Sequence, residues 1–93
     1  MSASAEIVVR NKVGLHARPA ASFVKMAVGF KSRITMENLS KRTPPASAKS
    51  ILSVLSAAVQ KDDKINIIAE GEDEAAAIAA LVDLIRANFG EPD

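Results

Sequence analysis

Cysteine, tryptophan and tyrosine are all missing from these 93 residues. Without cysteine the chain has no disulfide and no thiolate for nucleophilic or metal chemistry, and a reducing compartment is its expected setting. Without Trp or Tyr, and with three Phe at apolar-periodic or terminal positions, it lacks the stacking platforms on which single-stranded nucleic acid is read. Histidine occurs once, too few for a zinc site that no cysteine can complete, so no metal and no cofactor are expected. No apolar run approaches the roughly 20 residues that cross a bilayer. The stretch Met1–Glu6 has neither the basic nor the apolar region of a signal peptide. A cytoplasmic chain without membrane insertion is expected. Gly-x-Ser-x-Gly elbows and Walker loops are absent too, which argues against a serine hydrolase and against intrinsic nucleotide hydrolysis.

What is present is polarised. Residues 1–50 carry nine Lys/Arg against Glu6 and Glu37, a balance of +7, while residues 51–93 carry three against nine acids, a balance of −6. A basic half that contains the lone histidine suits an anionic ligand or acidic partner proteins. The length fits one domain, residues 1–93, with a single core.

Glu6–Arg10 is short and β-branched, and predicts a strand. Ala20, Phe23, Val24 and Ala27 form the stripe of an amphipathic helix over residues 17–29, with Gly29 as terminator. Lys31–Asn38 reads as a second strand. Leu39–Pro45 is a turn-rich loop, because Pro44 and Pro45 cannot donate to a ladder. A brief third strand follows around Ala46–Ala48. Ile51, Leu52, Val54, Leu55 and Ala58 predict a short helix with Ser47 or Ser50 as its N-cap. Lys64–Ala69 alternates as a fourth strand. Glu72, Asp73 and Glu74 suit the positive end of a final helix whose stripe runs through Ala75, Ile78, Val82, Ile85 and Phe89, stopping at Gly90 and Pro92. The order βαββαβα, with one apolar face per helix, implies a two-layer α+β domain, a sheet covered by helices on one side.

The chemistry concentrates at Gly14-Leu15-His16-Ala17-Arg18-Pro19, where a strand turns into a helix. Gly14 allows the sharp turn. With His16 at the N-cap, the amides of Ala17 and Arg18 lie among the donors a helix start leaves unused, and Pro19 loses nothing there for want of an N–H. Arg18 adds a guanidinium that grips phosphate oxygens. A nucleophilic imidazole, two amides, a helix dipole and an arginine are what a transient phosphoramidate requires. No nucleophile–base pairing surrounds the ring, which suits a group carrier better than an enzyme that turns over substrate. On these residues alone a structural N-cap histidine, in a module that carries no phosphate, stays open.

Gly14-Leu15-His16-Ala17-Arg18-Pro19-Ala20-Ala21 with Phe23-Val24-Lys25 resembles the signature of the histidine-containing phosphocarrier (HPr) family of the bacterial phosphotransferase system. Ala46-Ser47-Ala48-Lys49-Ser50-Ile51-Leu52 resembles that family's serine motif, and Ala69–Ala75 its entry to the last helix. The resemblance implies an open-faced β-sandwich, a four-stranded antiparallel sheet covered on one face by three helices. It implies that His16 accepts a phosphoryl group, on Nδ1, from phospho-enzyme I and donates it to IIA domains of sugar permeases. Ala17 and Arg18 would bind the phosphate. Ser50 matches the residue that a Ser-specific HPr kinase/phosphorylase modifies in some members. Ile51, Leu52, Leu55 and Lys49 match the partner-docking surface, and Leu52 is favoured over Leu55 as the exposed residue because helical spacing sends part of this set to the core. A monomer is expected. A regulatory phosphocarrier of a nitrogen-type or Ser-kinase-controlled branch is the alternative role. The segment 38–45 is longer than is usual in the family, and Ser53 stands where glycine or lysine is common; an irregular second hairpin is expected.

Overall fold

The structure is a computed structural model and describes residues 2–90. Its elements are β1 (Ala3–Val8), α1 (Ala17–Val28), β2 (Arg33–Asn38), β3 (Ala46–Ser47), α2 (Ile51–Ser56), β4 (Lys64–Glu70) and α3 (Glu74–Arg86), closed by a 3₁₀ turn at Asn88–Gly90. The four strands form one antiparallel sheet in the order β1-β4-β2-β3.

Period-two alternation decides the two faces. Ile34 and Met36 of β2 and Ile65, Ile67 and Ala69 of β4 are buried, and the register stacks Ile34 against Ala69 and Met36 against Ile67. The same face takes Ala20, Phe23 and Ala27 of α1, Val54 of α2, and Ala77, Leu81 and Ile85 of α3. The opposite face is polar and open. Glu6 lies beside Asn66, and Asn66 beside Glu37, whose Oε1 accepts from Asn66 Nδ2 at 3.4 Å. One layer of helices on one face of an open sheet is the predicted architecture.

The second strand begins at Arg33 rather than Lys31, and three further features differ from the sequence reading for tertiary reasons. The first strand runs from Ala3 to Val8 rather than from Glu6 to Arg10, because its ladder with β4 ends at the pair Val8–Lys64. Val9 then bonds to the 60s turn instead, its N–H donating to Asp63 O at 2.9 Å and its carbonyl accepting from Asp62 N at 2.6 Å. The buried line of α3 is Ala77–Leu81–Ile85, not a stripe beginning at the exposed Ala75. Phe89 does enter the core, but from the turn after α3, where Asn88 and Phe89 have φ of 52° and 59°. Pro92, read as part of the helix stop, lies outside the described residues.

The second hairpin is irregular, as expected, since β3 pairs through two residues only, Thr35 with Ser47 and Met36 with Ala46. The long connection folds back onto Asn38, which is fully buried. Asn38 N–H donates to Thr43 Oγ1 at 3.0 Å, its carbonyl accepts from Thr43 N at 3.1 Å, and its Oδ1 accepts from Lys41 N at 3.2 Å. Its Nδ2 donates to Ala57 O and to Asp63 Oδ2, both at 3.0 Å. One side chain thus ties the loop, the end of α2 and the 60s turn together, satisfying the polar atoms that burial would otherwise penalise.

Two carboxylates do similar work. Asp73, at the start of α3, accepts from the Ser32 hydroxyl, from Lys31 N at 2.8 Å and from Ser32 N at 2.9 Å, which joins α3 to the entry of β2. The Ser32 hydroxyl first, and the Lys31 and Ser32 amides with it, hold its carboxyl below the usual range. At Asp63, desolvation pushes the carboxyl up. The Lys41 ammonium, the Gln60 N–H and the Asn38 amide outweigh that push and leave it lowered.

Candidate phosphoryl site at the start of the first helix

The segment from Val9 to His16 crosses from β1 to α1 under tight constraint. Gly14 has φ +64° and is buried, and a Cβ there would stand 2.2 Å from Val59 O. Only glycine fits such an approach. Leu15 follows, 2% exposed, with its N–H donating to Val59 O at 3.0 Å. Asn11 is 3% exposed, and its Nδ2 donates to Gly14 O at 2.9 Å. Its backbone carbonyl accepts from Gly14 N at 3.2 Å, so the turn is closed twice.

Against that fixed turn, His16 is exposed. It is the N-cap of α1, in extended geometry at φ −142° and ψ 155°, and its side chain makes no capping hydrogen bond. Ala17 takes φ 53°, a left-handed conformation that a residue with a Cβ holds only under restraint from its surroundings. Nothing in the sequence announces that strain. Pro19 is buried in the first turn, which also holds Arg18 and no acidic residue. The positive end of the helix dipole would therefore meet an anion here without a competing carboxylate in the first turn.

α2 stands next to this site. Ser50 is its N-cap, accepting from Ser53 N–H at 3.3 Å. Val54 and Ala57 supply the buried side of this segment, which leaves Ile51, Leu52 and Leu55 at 40%, 75% and 36% exposure. Leu52 is the most exposed of the three, and Leu55 is also turned outward. Leu55 and His16 line one groove of about 480 Å³, together with Val13, Leu15 and the segment 58–60. Ile51 and Leu52 do not line it. Lys49 is half-buried, its Nζ donating to Phe30 O at 2.7 Å, so this ammonium joins the α2 lead-in to the end of α1.

Sequence reasoning missed two contributors. Val13 is 51% exposed on the groove wall, and only its place between Lys12 and Gly14 hints at it. No sequence signal marks Asn11, yet it is buried and its Oδ1 is the one buried side-chain polar atom without a partner among the described residues. An orphaned acceptor costs about 1–3 kcal/mol, whereas the one hydrogen bond its amide makes contributes about 1 kcal/mol. As a stabilising device Asn11 does no better than break even.

Comparison with known proteins agrees with this geometry. The family model described as the PTS HPr component phosphorylation site matches residues 3–87. The chain belongs to the HPr phosphocarrier family. Among curated relatives, the multiphosphoryl transfer protein of Salmonella typhimurium is 42% identical over 88 residues, covering 95% of this chain and 23% of that protein. The phosphoryl donor subunit DhaM of a PEP-dependent dihydroxyacetone kinase from Klebsiella michiganensis is 36% identical, covering 96% of this chain and 18% of that subunit. This chain therefore spans less than a quarter of these relatives' length. Among solved structures, HPr-C-His from Thermoanaerobacter tengcongensis matches with TM-score 0.91 and 44% identity, over 98% of this chain and 99% of that one. An HPr dimer from the same organism matches at TM-score 0.75 and 47% identity, over 91% and 94%. The open sheet under three helices is the HPr fold.

Proposed function

We propose that residues 1–93 form one carrier domain that holds a phosphoryl group on His16, taken from phospho-enzyme I and given to IIA domains of sugar permeases. The observation that carries this reading is the exposed His16 N-cap, whose side chain is not spent on capping. A ring nitrogen attacks phosphorus with its lone pair. The phosphorus–nitrogen bond forms as the bond to the donor breaks, and the donor keeps that electron pair. Positioning and charge stabilisation supply the rest, as in other phosphoryl transfers. The amides of Ala17 and Arg18 and the Arg18 guanidinium receive the oxygens. The protein is a carrier with a phosphohistidine intermediate rather than an enzyme.

Partners dock across α1 and α2, with Ile51, Leu52 and Leu55 as the apolar centre and Lys49 at the rim. Such a small patch suits brief encounters. Ser50 is the regulatory position for a Ser-specific kinase. A phosphate there adds about −1.5 to −2 charge at the head of α2, which repels an acidic partner more than it harms the helix. Among the described residues no helix is long and apolar enough to cross a membrane. We place the carrier in the cytoplasm, as a monomer.

The DhaM relative, a segment of which this chain resembles, favours a second reading in which the carrier serves phosphoryl transfer outside sugar transport, as a regulatory branch would use. Incubation of the full chain with enzyme I, magnesium and radiolabelled phosphoenolpyruvate tests the core reading. An acid-labile label that is lost in His16→Ala supports it, and absence of any label refutes it. Subsequent addition of sugar-permease IIA domains separates the two: transfer of the label to them supports the first reading, and label that stays on His16 supports the second.

A further inference from the structure

We propose that Asn11 is a positioning residue for phosphoryl transfer, its side-chain amide orienting the peptide that carries the chain into His16. The inference rests on the assignment of His16 above. The Gly14–Leu15 peptide plane is held from both sides. Its oxygen accepts from Asn11 Nδ2 at 2.9 Å, and its N–H donates to Val59 O at 3.0 Å. Gly14 sits at φ +64°, in a region from which glycine, lacking a Cβ, departs easily. With the Asn11 bond removed, nothing on the oxygen side prevents this plane from rotating, and the Leu15–His16 link rotates with it. The buried Leu15 side chain and the Leu15 N–H bond to Val59 O then hold the peptide from one side only.

The orphaned Oδ1 supports a role in aiming over one in stability. A leucine of nearly the same shape would remove the orphaned Oδ1 but leave Gly14 O unpaired in its place, so the amide gains little stability over it. The amide is explained by its donor half, which serves the peptide two residues before the imidazole. A local cost retained beside reacting atoms is the pattern expected of a functional position.

Two substitutions separate aiming from folding. Asn11→Leu keeps the volume and removes the donor, moving the unpaired acceptor from Oδ1 to Gly14 O. Asn11→Asp keeps the shape and replaces the donor by a carboxylate oxygen facing Gly14 O. Each full-length variant is assayed for phosphoryl acceptance from enzyme I charged with phosphoenolpyruvate, alongside urea denaturation and ¹⁵N NMR of the His16 ring. Asn11→Leu is expected to denature near the wild-type midpoint, with kcat for acceptance down at least tenfold and the KM of enzyme I for this carrier unchanged. KM holds because the α1–α2 surface is untouched. Exchange broadening is expected at the Leu15 and His16 amides. Asn11→Asp shows the same kcat loss. If neither variant folds, the wild-type Asn11 Nδ2 resonances decide, since aiming requires them to shift when His16 is phosphorylated. Wild-type kcat in either folded variant with unmoved His16 signals, or Nδ2 resonances blind to phosphorylation, overturns the proposal. A wild-type chain that takes no phosphate on His16 instead refutes the reading of the site itself.

Discussion

Replacing Gly14 by alanine tests how the phosphoryl site is built, because two separable costs meet at one atom. The backbone is at φ +64°, so any Cβ carries left-handed strain, about 1–2 kcal/mol for an L-residue. The added carbon would also stand 2.2 Å from Val59 O, 2.8 Å from Gln60 Cα and 2.9 Å from Val59 C. All three are backbone atoms, so no flexible side chain can swing aside. Relief requires the 59–60 strip to move off, which breaks the 3.0 Å bond from Leu15 N to Val59 O. The broken bond costs about 1 kcal/mol and the displacement a further 1–3 kcal/mol. The total of about 3–6 kcal/mol is a large share of the roughly 5–15 kcal/mol that holds a domain of this size. Gly90 is the internal control. It has φ +75° with nothing within 4 Å of a Cβ, so Gly90→Ala meets the strain without the collision. Urea denaturation of both variants reads the difference directly. Gly14→Ala is expected to lose about 2–4 kcal/mol more than Gly90→Ala, with a correspondingly lower midpoint. Losses equal to within about 0.5 kcal/mol would refute the packing of Val59 over the turn.

Two further predictions concern other parts of the chain. Ser50→Ala removes the acceptor for Ser53 N–H and is expected to cost about 1 kcal/mol in urea denaturation. Ser50→Asp keeps the cap while weakening phosphoryl acceptance from enzyme I through KM, which initial-rate kinetics resolve. Asp63 and Asp73 both have lowered carboxyl pKa values in the folded protein. Their contribution to stability is full above the unfolded carboxylate value near about 3.9 and is lost as pH falls through the folded values. Denaturation midpoints measured stepwise from pH 6 to pH 2 should therefore drop below about pH 4, and Asp73→Asn should flatten that drop.

The helices and their caps were legible because their signals are local. The α1 stripe and a serine cap for α2 are read within one or two turns, and the structure buries Ala20, Phe23 and Ala27 with Val24 partly buried and selects Ser50 over Ser47. Strand ends were less legible, since Val8 ends β1 only because its partner Lys64 begins β4. The α2 surface shows the same limit. Helical spacing could not say which of Leu52 and Leu55 faces outward, and packing of Val54 and Ala57 turned both out.

From the chain alone came a lone histidine ahead of an early proline and an arginine, the donors of a helix start, and a family signature, because these depend on residues within a few positions of one another. Tertiary structure alone decided that Leu55 shares a groove with His16, that Val59 O closes over Gly14, and that Asn11 is buried with one oxygen unpaired. Contacts such as Gly14 with Val59 join segments some 45 residues apart. No periodicity or cap records which backbone atom arrives from so far along the chain; only the packed core brings it there.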